Sequence, residues 1–281
     1  MSGTLFVVAT PIGNLEDVTL RALRVLREVE LIAAEDTRRT ARLLSHHGIS
    51  TPMLSFHQHN WRERVSQLVA RLAAGKSVAV VTDAGTPGVS DPGAELVQAC
   101  VEAGIPVDPI PGASAPLTAA IASGFPLVPL TVFGFAPSRS KARTNWLTAI
   151  CKVTHTFTFF ETPHRIAATM AGAAVLLGER PIVVGRELTK VHQEFLRGTA
   201  KELIGRFEQA KGEFTVVVGP LSEDGREPEL VADSTIAHDF WHSTEYGGLS
   251  RRAAIAAIAK KYRRPAREVY AIVENAKLSV E

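Results

Sequence analysis

Several short stretches of this chain put reactive side chains where an apolar run ends. Glu35-Asp36-Thr37-Arg38-Arg39-Thr40 sets two carboxylates beside two arginines. Asp36 has the type and position of a helix N-cap; the functional reading is a substrate-facing acid, with Arg38 beside it to hold phosphate. Phe160-Glu161-Thr162-Pro163-His164-Arg165 repeats the theme, with an acid at a strand end, then Pro, His and Arg. Arg186-Glu187-Leu188-Thr189-Lys190 repeats it again. An Arg/Glu/Lys group is commonly a solvated surface or a structural ion pair. Three such groups at expected strand ends point instead to a polar cleft. His46, His47, His57 and His59 lack the Cys or acid spacing that would complete a metal site, so no metal is expected.

The elements that must position these groups are strand-to-loop-to-helix units. Val78–Val81 is apolar, Thr82-Asp83 ends it, and a loop rich in Gly, Pro, Ser and Thr leads into a helical pattern near Gly93. Gly85, Gly88 and Gly93 permit close backbone approach, while Pro87 and Pro92 stiffen the loop. The segment is either a structural turn or a ligand-binding loop of an α/β protein. It has no G-x-G-x-x-G and no Gly-Lys-Ser/Thr, which excludes the dinucleotide and P-loop signatures. Thr10-Pro11-Ile12-Gly13-Asn14 and Ile110-Pro111-Gly112-Ala113-Ser114-Ala115 follow two other expected strands. Ser114 is also placed to cap the helix behind it. Three Gly/Pro turns at successive strand ends of one parallel sheet form a crevice wall.

Composition bounds the rest. The chain has 281 residues, 46% hydrophobic and 21% charged, with a formal net charge of +2. Such values describe an ordinary globular protein, and the length suggests two domains with a small third. Cys100 and Cys151 make no disulfide framework, which fits a reducing, cytoplasmic setting. Leu5–Ala9 is too short for a signal peptide. Residues 109–138 carry no charged residue or His, but six prolines interrupt them, so no membrane span is expected.

Strands are predicted at Leu5–Ala9, Glu30–Ala34, Val78–Val81 and Pro106–Ile110. Helices are predicted at Thr19–Val29, Thr37–His46, Trp61–Ala74, Ala94–Glu102 and after Ser114. This alternation implies a mostly parallel sheet over residues 1–124. A second α/β domain over 125–222 has predicted strands at Leu130–Phe135, His155–Phe160, Pro181–Arg186, Gln193–Arg197 and Glu213–Gly219, and a mixed sheet is expected. Residues 221–232 read as a linker. Residues 233–281 form a helical extension with seven Lys or Arg between Arg251 and Arg267 and no acid among them. Two short helices joined by a basic turn resemble a helix-turn-helix outline that can neutralise phosphates. The other reading is a solvated basic face on a packing helix.

TPIGNL (10–15), LIAAEDTR (31–38), VTDAGTPGVSDPG (81–93), PIPGAS (109–114), FGFAP (133–137), FFETPHR (159–165), GRELTK (185–190), EFLRGT (194–199) and GEFTVVV (212–218) occur in this order. Together they resemble the tetrapyrrole-methylase superfamily, and within it the members that modify ribosomal RNA. The resemblance implies two α/β domains with S-adenosylmethionine folded into the cleft between them, and a homodimer. It implies 2′-O-methylation of a cytidine ribose in the decoding centre of 16S rRNA, on free RNA or on the small ribosomal subunit. It also implies cofactor contacts from Pro11, Ile12, Asp83, Gly85, Thr86, Pro87, Gly88, Ser114, Ala115, Phe160, Glu161, Leu188 and Thr215. Gly112-Ala113-Ser114 stands where the family often has Gly-Pro. A ribose hydroxyl is a poor nucleophile that benefits from a base or a polarising cation. Asp36, Glu187 and Lys190 are the candidates for that role. Arg38, His164 and Arg165, with Arg251, Arg252, Lys260 and Lys261 of the extension, are the candidates for RNA contact. The rival functions are methylation of a precorrin-type tetrapyrrole and a ligand-sensing nucleic-acid-binding protein.

Overall fold

The computed structural model describes residues 2–89, 91, 93–208, 210–221, 232–262 and 264–278. Pro92 of the glycine-rich loop, Arg263 of the basic turn and nearly all of the expected linker (222–231) lie outside the described residues.

Five parallel strands form the first sheet, in the order β3-β2-β4-β1-β5. They are β1 (Leu5–Val8), β2 (Leu31–Ala34), β3 (Met53–Ser55), β4 (Val78–Val81) and β5 (Val107–Ile110). Every residue of β2 and β4 is buried, as strands covered on both faces require. One face packs on α1 (Leu20–Glu28) and α2 (Thr37–His46), through Val25, Leu26 and Leu44. The other packs on α3 (Trp61–Ala73) and α4 (Gly93–Glu102), through Leu68, Leu72, Leu96 and Cys100. Periodicity missed β3: three half-buried residues at the sheet edge carry too little pattern.

The second sheet is mixed, in the order β6-β7-β10-β8-β9. Its strands are β6 (Leu130–Phe135), β7 (Thr156–Glu161), β8 (Pro181–Arg186), β9 (Glu194–Thr199) and β10 (Phe214–Val218). Only β6 and β7 run parallel; the other pairs are antiparallel. One face buries α6 (Ser140–Ile150) and α7 (Ile166–Leu177) around Phe157, Phe159, Met170 and Val216. A short α8 (Ala200–Leu203), closed by a Thr199/Glu202 capping box, completes that layer and was not anticipated. The opposite face is covered by α5 (Ala115–Ser123), whose Ala119 and Ala120 pack on Val183 and Val217. Thus the Ala-rich helix that leaves the first sheet is a layer of the second. Both sheets lie in one compact unit, Met1–Pro220.

Residues 221–281 form a separate unit. It holds three described helices, α9 (Asp233–Glu245), α10 (Arg251–Tyr262) and α11 (Ala266–Leu278); α10 and α11 are the two expected on either side of the basic turn, and α9 precedes them. Ile236, Phe240, Ala254, Ile258, Val269 and Val273 make its core. No described helix is long and apolar enough to cross a membrane.

Candidate active site

The three Gly/Pro turns at the carboxyl end of the first sheet bind one another. Thr10 and Gly85 exchange backbone hydrogen bonds of 2.9 and 3.0 Å, and the Thr10 hydroxyl donates to the Thr82 carbonyl at 3.1 Å. The Thr86 hydroxyl donates to the Ala113 carbonyl at 3.3 Å. Gly85 sits at φ +85°, a left-handed conformation that a side chain would strain. Asp91 braces the loop by accepting the Gly88 amide at 2.9 Å and the Gly93 amide at 2.8 Å. These bonds tie the described residues of the loop to one another and to the two neighbouring turns.

A cavity of about 340 Å³ lies between these turns and the second sheet. On the first-sheet side stand Ile12, Glu35, Arg39, Thr82, Asp83, Gly85, Thr86, Asp91, Ser114 and Ala115. On the second-sheet side stand Phe135, Phe160, Glu161, Thr162, Pro163, Leu188, Glu213, Phe214 and Thr215. Ten of the residues expected at the cofactor line it, Ser114 and Ala115 among them; Pro11, Pro87 and Gly88 do not. Ser114 occupies the N-cap position of α5 but makes no capping side-chain bond, which corrects that expectation.

The wall carries five carboxylates and one guanidinium. Of the two adjacent acids, Glu35 and not the expected Asp36 faces the cavity. Its Oε2 accepts the Thr82 hydroxyl at 2.6 Å and the Asp83 amide at 3.1 Å. Asp83 Oδ1 accepts the Asp36 amide at 2.9 Å, and Oδ2 lies 3.5 Å from Arg39. Burial, then the neighbouring Glu35 charge, push the Asp83 carboxyl above its usual range against the pull of Arg39. Burial also raises Asp91. Glu161 has a fully buried side chain held by Arg165 at 2.8 Å, the Thr162 amide at 2.8 Å and the Thr169 hydroxyl at 2.6 Å.

The expected bases sit elsewhere. Asp36 caps α2 through the Arg38 amide and is gripped by the Arg38 guanidinium at 2.7 Å, which holds it well below the usual carboxylate range. Lys190 pairs with Glu187 at 2.9 Å and Glu213 at 3.0 Å. Burial opposes its charge, but the two carboxylates outweigh burial and keep its pKa raised, so it stays protonated. Glu187 likewise resists the upward push of burial, because Lys190 and the Glu213 amide hold it below its usual value. Neither group lines the cavity. Their turn, with Glu187 at φ 49° and Thr189 at φ 65°, instead receives the first-sheet turn. The Thr189 hydroxyl accepts the Asn14 amide at 2.9 Å. A Cβ on Gly13 would lie 2.7 Å from the Leu188 carbonyl oxygen, so only glycine fits there. Glu187 and Lys190 thus brace the junction of the two sheets.

The expected RNA contacts divide. Arg38 is 87% exposed but bound to Asp36, and His164 is exposed off the cavity wall. Arg165 is committed to Glu161, with a further bond to the Ala136 carbonyl. In the helical unit Arg251 pairs with Glu274 and Lys261 with Asp239, while Arg252 and Lys260 are exposed without an ion pair among the described residues. The stretch without acids is therefore partly neutralised by acids of α9 and α11. Among the described residues no group of three or more His, Cys, Asp or Glu could hold a metal ion.

Comparison with known proteins bears on this arrangement. Residues 4–204 match the family model described as Tetrapyrrole (Corrin/Porphyrin) Methylases. The chain is 43% identical over 271 residues to the ribosomal RNA small subunit methyltransferase I of a Synechocystis species, covering 95% of this chain and 96% of that one. It is 42% identical over 271 residues to the protein of the same name from Bacillus subtilis, covering 95% and 93%. The crystal structure of uroporphyrin-III C-methyltransferase from Thermus thermophilus, complexed with S-adenosyl homocysteine, aligns with a TM-score of 0.54 at 18% identity, over 77% of this chain and 97% of that one. A match running from β1 through α8, together with relatives alike over nearly their whole length, makes this chain a member of the tetrapyrrole methylase family.

Proposed function

We propose that the protein is an S-adenosylmethionine-dependent methyltransferase acting on small-subunit ribosomal RNA, and that its acceptor is the 2′-hydroxyl of a cytidine. The near full-length likeness to relatives named as such enzymes supports the substrate class. The single observation that supports the cofactor is the acid left over on the first-sheet wall: Glu161 and Glu213 are paired with Arg165 and Lys190, while Glu35, Asp83 and Asp91 stand against the one guanidinium of Arg39, which suits a cationic ligand and disfavours a phosphate-bearing one. The residues fit the group. Asp83 and Glu35 offer negative charge, Gly85 and Ile12 a close backbone wall, and Phe160, Phe135 and Leu188 an apolar face. When bound, S-adenosylmethionine supplies a methyl group on a sulfonium centre. The chain's part is chiefly positioning, because in-line attack needs the acceptor oxygen within about 3–3.5 Å of the reacting carbon. The loops tied together by Thr10, Thr86 and Asp91 and the brace at Gly13 hold that geometry. A paired-subunit state and a cytoplasmic location belong to this reading; light scattering of the purified protein would show twice the chain mass.

To test it, purified protein is incubated with methyl-labelled S-adenosylmethionine and one of three acceptors: small subunits from a strain lacking the modification, naked 16S rRNA, or a precorrin-type tetrapyrrole. Label in the rRNA of either of the first two is expected. Label in the tetrapyrrole alone establishes the rival chemistry.

A further inference from the structure

From Thr37 to Arg62 the chain has four arginines, four histidines and no aspartate or glutamate. The fold gathers the ends of this stretch at one corner of the first sheet. β3 is the outer strand and pairs with β2 through Ala34 and Ser55, and the Phe56 amide donates to the Ala34 carbonyl at 2.8 Å. The segments leaving the two strands therefore start side by side. From β2 the chain enters α2, whose first six residues include Arg38, Arg39 and Arg42. From β3 it passes His57 and His59 and enters α3, where Arg62 is the second residue. Arg38 is spent on Asp36, and Arg39 reaches the cavity wall beside Asp83. Arg42, His59 and Arg62 are exposed and have no carboxylate partner among the described residues. Arg62 lies over the Trp61 ring at 5.4 Å, which leaves its charge unneutralised.

This corner is the electrostatic opposite of the cavity it adjoins. A polynucleotide that offers one ribose to an acidic pocket must lay its phosphates outside it, and phosphate contacts are what set a strand's register. We propose that Arg42 and Arg62, with His57 and His59, form a phosphate-guiding rim that leads the acceptor RNA strand past Arg39 to the cavity mouth. The proposal rests on the RNA-methyltransferase reading and adds to it a specific track on the first sheet.

The test measures binding of full-length protein to naked 16S rRNA across a salt series, with S-adenosylmethionine affinity measured in parallel. In the Arg42→Glu/Arg62→Glu double variant, RNA affinity is expected to fall at least about tenfold, and the slope of log affinity against log salt to shrink by about 1.4–1.8. S-adenosylmethionine affinity is expected to stay within about twofold, since neither residue lines the cavity. Unchanged RNA affinity and slope with the cofactor still bound would overturn the rim. If charge reversal also removes cofactor binding, the Arg42→Gln/Arg62→Gln pair decides by the same slope, with an unaltered slope again overturning the proposal. An effect on an acidic protein partner but none on RNA would equally refute it. Because binding is read without turnover, the two readings fail separately. Wild-type protein that binds rRNA through the rim yet transfers no methyl breaks the function and spares the rim. Wild-type protein that methylates rRNA while the variants bind it normally does the reverse.

Discussion

The two sheets contribute opposite chemistry to the same cavity. The first-sheet wall keeps carboxylates at its surface: Glu35 and Asp83 are held mainly by amides and a hydroxyl, and burial raises the proton affinity of Asp83. The second-sheet wall locks its buried acid away. Glu161 is saturated by Arg165, the Thr162 amide and the Thr169 hydroxyl, and the surface around it is Phe135 and Phe160, whose rings stand 5.1 Å apart, with Pro163 and Leu188. Acids at the strand ends of the two sheets thus divide: Glu35 and Asp83 face the cavity, whereas Glu161 is held by protein partners. The difference lies in the partner each acid meets. The Arg165 guanidinium, fixed by the Thr162 hydroxyl and the Ala136 carbonyl, neutralises Glu161, whereas Asp83 meets Arg39 only at 3.5 Å.

Substitutions on either wall test this division. The largest effect is expected at Glu161→Ala, which strands Arg165 beside a buried polar pocket and should lower folding stability by about 3 kcal/mol in chemical denaturation. A loss below about 1 kcal/mol would mean that Glu161 is no structural keystone. Next comes Asp83→Asn, expected to weaken S-adenosylmethionine binding about tenfold, or about 1.4 kcal/mol, without unfolding the protein. The same variant carries a pH signature. The Asp83 pKa is raised, so its ionised form is favourable for a cation only above that pKa, and wild-type affinity should drop as pH falls through it. Folding stability runs the other way, because ionising a carboxyl whose folded pKa is raised destabilises the free protein as pH rises. In Asp83→Asn the pH dependence of affinity should flatten; an unchanged profile would remove Asp83 from the cation site. The smallest effect is expected at Lys190→Ala. This partly exposed pair should cost at most about 1 kcal/mol, with cofactor affinity kept. A hundredfold fall in turnover at unchanged stability would return Lys190 to the chemistry.

Much of this was readable from residue order. Alternating apolar runs and helical stripes announced the parallel sheet, and the Gly/Pro turns at 10–14, 83–93 and 110–115 announced the wall they form. What could not be read was side-chain commitment. Glu35 and Asp36 are adjacent acids, and only the geometry of the α2 N-terminus sends Asp36 to Arg38 and leaves Glu35 for the cavity. Glu187 and Lys190 carry the residue types of acid–base chemistry, and only the fold shows that their turn receives Gly13, distant in sequence, and that they pair with each other off the cavity wall. The basic run of α10 looked unneutralised because Asp239 and Glu274, which take up two of its charges, lie on α9 and α11. β3 escaped notice for a different reason: a three-residue edge strand has no period to detect.

The most direct measurement is the identity of the methylated nucleoside. Small subunits lacking the modification are labelled by the protein, their rRNA is digested to nucleosides, and the product is identified by mass. The label is expected in 2′-O-methylcytidine. Label on a base, on a tetrapyrrole, or nowhere would contradict it.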